Sequence, residues 1–239
     1  MLLFELCVRP GGGVEHLADL RGRTVGAPDV HMTAAVWLRI LLREMHGMKL
    51  ADVAWVNGRP ASKRHSAALG APPLPDTRVT ELAAGESLQA LLESGRIDAA
   101  FGDHAAAAVQ QSPSAHLLFT DEDVQRVMET AMLEKGFTPV NHTIVVQQRL
   151  VEEDPTIAPR LYALFEASKR EAFARAPSGG AGMAFPGEAI TWSREVFGDD
   201  PFASGVEPNR RMLEVLRDQL RMEGQLEREI PVEELFWSG

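Results

Sequence analysis

Cysteine is almost absent from this chain of 239 residues: Cys7 is the single one. A lone thiol excludes an internal disulfide and any zinc site built from cysteines. It fits a reducing compartment, and the cytoplasm is the expected location. Positive charge is also short, with Lys+Arg 24 against Asp+Glu 34 and a formal net charge of −10. Nucleic acid and anionic membranes attract excess positive charge, so neither is an expected partner. No run approaches the roughly 20 apolar residues of a membrane span. The opening Met1-Leu2-Leu3-Phe4-Glu5 lacks the basic and long apolar segments of a secretory signal.

Several motifs are missing too. Gly11-Gly12-Gly13 has neither the Lys-Ser/Thr of a phosphate loop nor the spacing of a dinucleotide fingerprint, and reads as a turn. There is no Gly-x-Ser-x-Gly elbow for a serine hydrolase. Without a His-x-x-x-His or Glu-x-x-His pair, nothing in the spacing joins His31, His104 and His142 into a metal site. The sequence requires no cofactor and no metal.

What is present is a globular balance, 45% hydrophobic and 24% charged, long enough to bury a real core. The first half alternates strand and helix patterns. Leu6 to Arg9 reads as a strand, as do Thr24-Val25-Gly26, Val53 to Val56, Arg78 to Leu82 and Ile97 to Phe101. Thr33 is the expected N-cap of a helix with Trp37, Leu38, Leu41 and Met45 on its apolar positions and Gly47 as its stop. A second helix carries Leu88, Leu91 and Leu92 and closes at Gly95, while 57–76 reads as a loop. Strands separated by helices argue for an α/β fold with a mostly parallel sheet.

The second half reads as mostly helical. Asp121-Glu122-Asp123 suits a first helical turn, with Val124, Val127, Met128 and Ala131 as the apolar face and Gly136 as the end. His142 to Val146 alternates and is a strand candidate. Asp154-Pro155 is an expected N-cap and first residue of a helix whose inward stripe is Ile157, Leu161, Leu164, Phe165 and Ala172, with Tyr162 on the same core-facing stripe. Residues 177–187 read as a Gly/Pro-rich linker. Pro208 opens a last helix with Leu213, Leu216 and Leu220 inward and Gly224 as its stop.

Two segments resemble a lobe of type II periplasmic binding proteins. They are Asp19-Leu20-Arg21-Gly22-Arg23-Thr24-Val25-Gly26-Ala27-Pro28, followed by Met32-Thr33-Ala34-Ala35-Val36-Trp37, and Ser94-Gly95-Arg96-Ile97-Asp98-Ala99-Ala100. Three later segments narrow the resemblance: Pro139-Val140-Asn141-His142-Thr143-Ile144-Val145-Val146; Pro155 through Glu171; and Phe197-Gly198-Asp199-Asp200-Pro201 with Gly205 to Arg210 and Val232 to Phe236. In order and spacing they are similar to the 4,5-dihydroxyphthalate decarboxylase family. The resemblance implies one α/β lobe over 19–140, a remnant of a first lobe with a hinge strand over 1–18, and a return strand with a helical C-terminal part of an incomplete first lobe over 141–239. It also implies that an N-terminal block of the first lobe is lacking, with three explanations open: a truncated gene model, a partner that supplies the lobe, or a reduced paralogue. With sheet edges and apolar surface uncovered, the isolated chain is expected to oligomerise or to be poorly soluble. The chain departs from the family where tyrosines are expected. Val30, Met132, Leu133 and Ser204 stand there instead, and Tyr162 is the one tyrosine left.

Decarboxylating a hydroxylated aromatic acid takes a proton for the ring carbon, a base for the hydroxyl, and a cation for any second carboxylate. Histidine suits the proton step and arginine the anchoring. His142, in the segment matching the family's Pro-x-x-His, is the catalytic candidate; a histidine bonded to backbone is the plainer alternative. His31 and Thr33 precede the first helix, at a strand end where an open sheet presents ligand, and amides there suit a carboxylate. Asp103 and His104 follow the fourth strand of the lobe on the same edge. Asn209 and Arg210 are candidates for holding a carboxylate, against a plain role in starting the last helix. Arg59, Lys63, Arg64 and His65 form a basic loop, solvated or anion-binding. Three readings follow: a decarboxylase-like lyase, a binding protein for a small aromatic or aliphatic carboxylate, and an inactive truncated paralogue.

Overall fold

The computed structural model describes residues 5–101, 114–139, 142–175, 189–200 and 202–237. The chain divides into two compact units, Met1–Ala131 with Val215–Glu229, and Met132–Glu214 with Ile230–Gly239.

The first unit is built on a six-stranded sheet. Its strands are β1 (Leu6–Val8), β2 (Thr24–Ala27), β3 (Ala54–Asn57), β4 (Val79–Glu81), β5 (Ala99–Phe101) and β6 (His116–Leu117), in the order β4-β3-β2-β5-β1-β6. β2 runs parallel to β3 and β5, and β3 parallel to β4; β1 is antiparallel to β5 and β6. The α/β architecture with a mostly parallel sheet is therefore the one observed.

The pleat sorts the strand residues onto two faces. Cys7, Val56 and Ala100 share a buried cluster with Leu91, Leu92 and Ile97, around the helix α3 (Leu88–Glu93). Their neighbours Trp55 and Ala99 turn to the opposite face, together with Val25. There the helix α1 (Thr33–His46) is buried at every position from Ala34 to Leu42. A helix apolar nearly all round belongs inside a fold, and each fully buried large side chain contributes about 1.5–3 kcal/mol. Gly47 ends α1 at φ +60, with its N–H on the Arg43 carbonyl, the 5→1 bond of a left-handed helix stop, and Met48 N–H on the Leu42 carbonyl.

Two local expectations change here. Met32, not Thr33, is the N-cap of α1; Thr33 is its first helical residue. The turn is organised one step earlier by Asp29, whose carbonyl takes Met32 N–H and whose Oδ1 takes His31 N–H, each at 3.0 Å. The loop over 57–76 also contains a short helix, α2 (His65–Ala68). Its Ser66 is tied to Asp29 by two hydrogen bonds, a tertiary anchor that composition does not reveal.

The helix α4 (Asp121–Lys135) starts with a reciprocal cap: Asp123 Oδ2 accepts Thr120 N–H and Thr120 Oγ1 accepts Asp123 N–H. Met128 and Ala131 are buried on the expected face. Beyond it, His142–Val146 does not form a strand. The segment is extended, with no ladder among the described residues, and Val145 is 86% exposed. Alternation marks a strand only when a sheet edge is there to pair with it.

The second unit holds α5 (Gln148–Glu153), α6 (Ile157–Arg175), α7 (Ala189–Phe197) and the first part of α8 (Val206–Met222). Asp154 does not cap α6 from N-cap; it follows α5, and its Oδ1 accepts Thr156 N–H and Oγ1–H in a local turn. The stripe expected to face a core carries exposed side chains at Tyr162, Leu164 and Phe165. In α8 the buried positions are Met212, Val215 and Gln219, with Glu223 just past its end, while Leu213, Leu216 and Leu220 are only half-buried. The row is rotated because Gln219 and Glu223 answer a buried charge described below. No described helix is long and apolar enough to cross a membrane.

Candidate functional site

In an open parallel sheet the loops after the strand C-termini carry the ligand chemistry. In the first unit that edge is formed by Ala27, Asn57 and Glu81, consecutive in the sheet by register. The segment Pro28–Met32 leaves β2 there and enters α1.

Buried Asp29 holds this turn. Its Oδ1 accepts Ser66 Oγ–H at 2.8 Å and its Oδ2 accepts Ser66 N–H at 3.1 Å, in addition to the His31 amide. Burial pushes the carboxyl pKa up, but the hydrogen bonds from His31 and Ser66 outweigh it and hold Asp29 below the ordinary range. Asn57 fixes the other side: its Oδ1 accepts Val30 N–H and its Nδ2 donates to Glu81 Oε1, each at 3.0 Å. Arg64 adds an ion pair to the same Glu81 oxygen at 3.1 Å. That commits one arginine of the basic loop to the turn's support.

His31 lies over the Pro72 carbonyl, with Nε2 at 3.0 Å. Only a protonated Nε2 makes that bond. Nδ1 then faces Asp29 Oδ1 at 3.6 Å, beyond hydrogen-bond reach, and is buried. His31 and Asp29 are thus brought together, with Thr33 exposed two residues after His31. The first α1 bond runs from Val36 N–H to the Met32 carbonyl at 3.1 Å. The amides of Thr33, Ala34 and Ala35 precede that ladder. The Met32 side chain makes no capping bond, and no acidic residue lies in the first turn. Such an end attracts an anion through its amides and the helix dipole.

The second unit contains the other described candidates. His142 is exposed at the start of the extended segment. Asn209 spends both amide hydrogens on the Ala203 and Gly205 carbonyls, at 2.7 and 2.9 Å, which ties the loop before α8. Arg210 is held between Glu207 and Glu233, at 2.5 and 2.6 Å. Hydrogen bonds to those two carboxylates raise its pKa further above the usual arginine value. Ser204, at one of the positions where a tyrosine is expected, donates to Glu166 Oε1 at 2.6 Å. Asp103 and His104 lie outside the described residues. Among the described residues no group of three or more His, Cys, Asp or Glu side chains could hold a metal ion.

Sequence reasoning missed Asp29, Asn57, Ser66 and Glu81, the residues that shape the turn. It also missed Arg39, whose Nη1 donates to the Val30 carbonyl at 2.8 Å. One signal for Arg39 was present: it is the lone charge in the apolar run Ala34–Leu42. A charge so placed needs a buried partner.

No family model matches the chain. It is 27% identical over 233 residues to a 4,5-dihydroxyphthalate decarboxylase of Comamonas testosteroni, covering 96% of this chain and 70% of that protein. To a 4,5-dihydroxyphthalate decarboxylase of Pseudomonas putida it is 35% identical over 120 residues, covering 49% of this chain and 46% of that protein, less than half its length. Among solved structures it is similar to the periplasmic aliphatic sulphonate binding protein SsuA of Escherichia coli, at a TM-score of 0.49 and 13% identity over 97% of this chain and 68% of the other.

Proposed function

Because this chain is related to the 4,5-dihydroxyphthalate decarboxylase family, we propose that it is a carboxy-lyase acting on a hydroxylated aromatic carboxylate. The observation that carries the reading is the uncapped start of α1 at the end of β2, braced by Asp29–Ser66 on one side and Asn57–Glu81 on the other. In this reading the amides of Thr33, Ala34 and Ala35 take a substrate carboxylate, with the Thr33 hydroxyl and the edge of His31 beside it. Asp29 does not repel that carboxylate strongly, because three donors already engage its charge.

In the reaction the bond between ring and leaving carboxylate breaks and CO₂ departs. The hydroxyl para to that carbon, once deprotonated, pushes electrons into the ring so that the carbon first takes a proton; the electrons of the breaking ring–carboxylate bond then restore the aromatic ring and the phenolate as CO₂ leaves. We assign the proton to His142, whose ring nitrogens can hold and pass one. Arg210 is assigned to carboxylate anchoring, with a substrate oxygen replacing Glu207 or Glu233.

Binding without turnover is the second reading. It is favoured by Val30, buried in the turn where the family resemblance implies a phenol. Incubating the protein with 4,5-dihydroxyphthalate while following CO₂ and the dihydroxybenzoate product separates the two. Turnover that is lost in His142→Ala supports the lyase; saturable heat of binding without CO₂ supports the binding protein. The absence of both signals would sink both readings.

A further inference from the structure

The second unit leaves an apolar helix face open. On α6 (Ile157–Arg175) the residues Ile157, Leu161, Leu164, Phe165, Ser168 and Ala172 fall within an arc of about 100° at 3.6 residues per turn. Leu164 is 60% and Phe165 48% exposed. Ser168 and Ala172 are exposed too, and Ile157 and Leu161 are half-buried. The helix is covered on another side. There Glu166 accepts from Ser204 Oγ–H at 2.6 Å, Lys169 donates to Asp200 and to the Phe202 carbonyl, and the Phe173 ring lies 6.1 Å from that of Phe202. Leu164 is on the far side of the helix from these contacts. Contiguous exposed apolar surface marks an interaction site.

Two features of the stripe indicate what covers it. First, it is self-complementary. Successive residues are 4, 3, 1, 3 and 4 positions apart, a spacing that reads the same in both directions. A second α6 laid antiparallel about a two-fold axis between Leu164 and Phe165 therefore meets this one position for position. Ile157 then faces the partner's Ala172, Leu161 the partner's Ser168, and Leu164 the partner's Phe165. Away from the axis a large side chain meets a small one, so the helices can close to about 8–10 Å. Second, the charges match. Arg160 and Glu171 lie on one flank of the stripe, within about 20° of each other around the helix but about 16 Å apart along it. A two-fold axis brings equal flanks together, so Arg160 meets the partner's Glu171 with an axial offset of about 3 Å. The Arg160 side chain is 75% exposed and stands 3.7 Å from Asp154, which leaves it free to turn to this acceptor.

We propose that α6 docks a second copy of this chain, antiparallel across a two-fold axis between Leu164 and Phe165, with reciprocal Arg160–Glu171 pairs at the rim.

Sedimentation of the full chain over a concentration series should show a monomer–dimer equilibrium. Leu164→Glu, at an exposed position, should leave a monomer with an unchanged circular dichroism spectrum. Arg160→Glu should weaken the dimer about tenfold by placing like charges together, and adding Glu171→Arg should restore it. Leu164→Cys lies beside the axis and the native Cys7 is buried, so mild oxidation should link two copies through position 164. Ala172→Cys, about 22 Å from its counterpart across the axis, should not link. The proposal is overturned by a chain that stays monomeric up to its solubility limit, which would leave the stripe to a partner of another sequence. It is overturned equally by a dimer that survives Leu164→Glu, by no recovery in the charge-swapped double variant, or by Ala172→Cys linking as readily as Leu164→Cys.

Discussion

Arg39 and Glu223 stand 184 positions apart and form a buried two-point ion pair: Nε donates to Oε1 at 2.6 Å and Nη2 to Oε2 at 2.8 Å. The side chains are 3% and 0% exposed. The guanidinium also stacks over Trp55, 5.1 Å from the ring centroid. The pair links α1 to the residue just past α8, and through the Val30 carbonyl it supports the candidate turn.

Breaking this pair from one side leaves a buried charge unmatched. Arg39→Met and Glu223→Leu should each lower unfolding stability by about 3–5 kcal/mol. The double variant should recover much of that loss, because neither charge remains. Urea denaturation of the four proteins checks it; additive losses would contradict the coupling.

Asp29→Asn tests the brace beneath the turn. The substituted side chain can still accept through its one remaining oxygen, but its new amide group would meet the Ser66 N–H donor to donor. A loss of about 1–3 kcal/mol is expected at neutral pH. The Asp29 pKa is lowered in the fold, so its stabilisation is complete above the unfolded value of 3.8 and is lost as pH falls from there through the folded value. Unfolding midpoints measured from pH 7 to 3 should show the gap between the two proteins closing at the acid end. A gap that stays constant would mean the carboxylate charge is not what matters.

Met32→Asp separates helix stability from anion binding. An aspartate at the N-cap satisfies an orphan amide and complements the dipole, worth about 1 kcal/mol. The same carboxylate occupies and repels the proposed ligand position. The variant should unfold at a higher temperature yet bind phthalate roughly tenfold more weakly, a difference of about 1.4 kcal/mol. Calorimetry showing unchanged phthalate affinity would remove the α1 start from the site.

Gly58 is a steric requirement rather than a turn residue. A Cβ there would lie 2.6 Å from Leu88 Cδ1 and 2.8 Å from its Cγ. Gly58→Ala should cost about 1–3 kcal/mol through overpacking. Introduced into Leu88→Ala, the same change should cost much less, and thermal unfolding of the pair measures the coupling.

Much of the first unit was legible in the chain itself. Short apolar runs separated by amphipathic segments mark β2, β3, β5 and α1, and Gly47 and Gly95 mark helix ends, because strand and helix periods and left-handed stops are local properties. The second unit was less legible. The stripe on α6 has helical spacing, but spacing does not say which face is covered, and Leu164 is 60% exposed. Likewise, His142–Val146 alternates without pairing, since a ladder depends on a second segment.

The α/β alternation and the similarity visible in the ordered motifs follow from the order of residues, and the acidic net charge from composition alone. How the candidate site is held does not; it emerges only once the chain is folded. Asp29 reaches Ser66, Asn57 reaches Val30 and Glu81, and Arg39 reaches Glu223, all between positions far apart in the chain. Buried polar groups must find partners wherever the fold brings them. No local pattern encodes which partner that is.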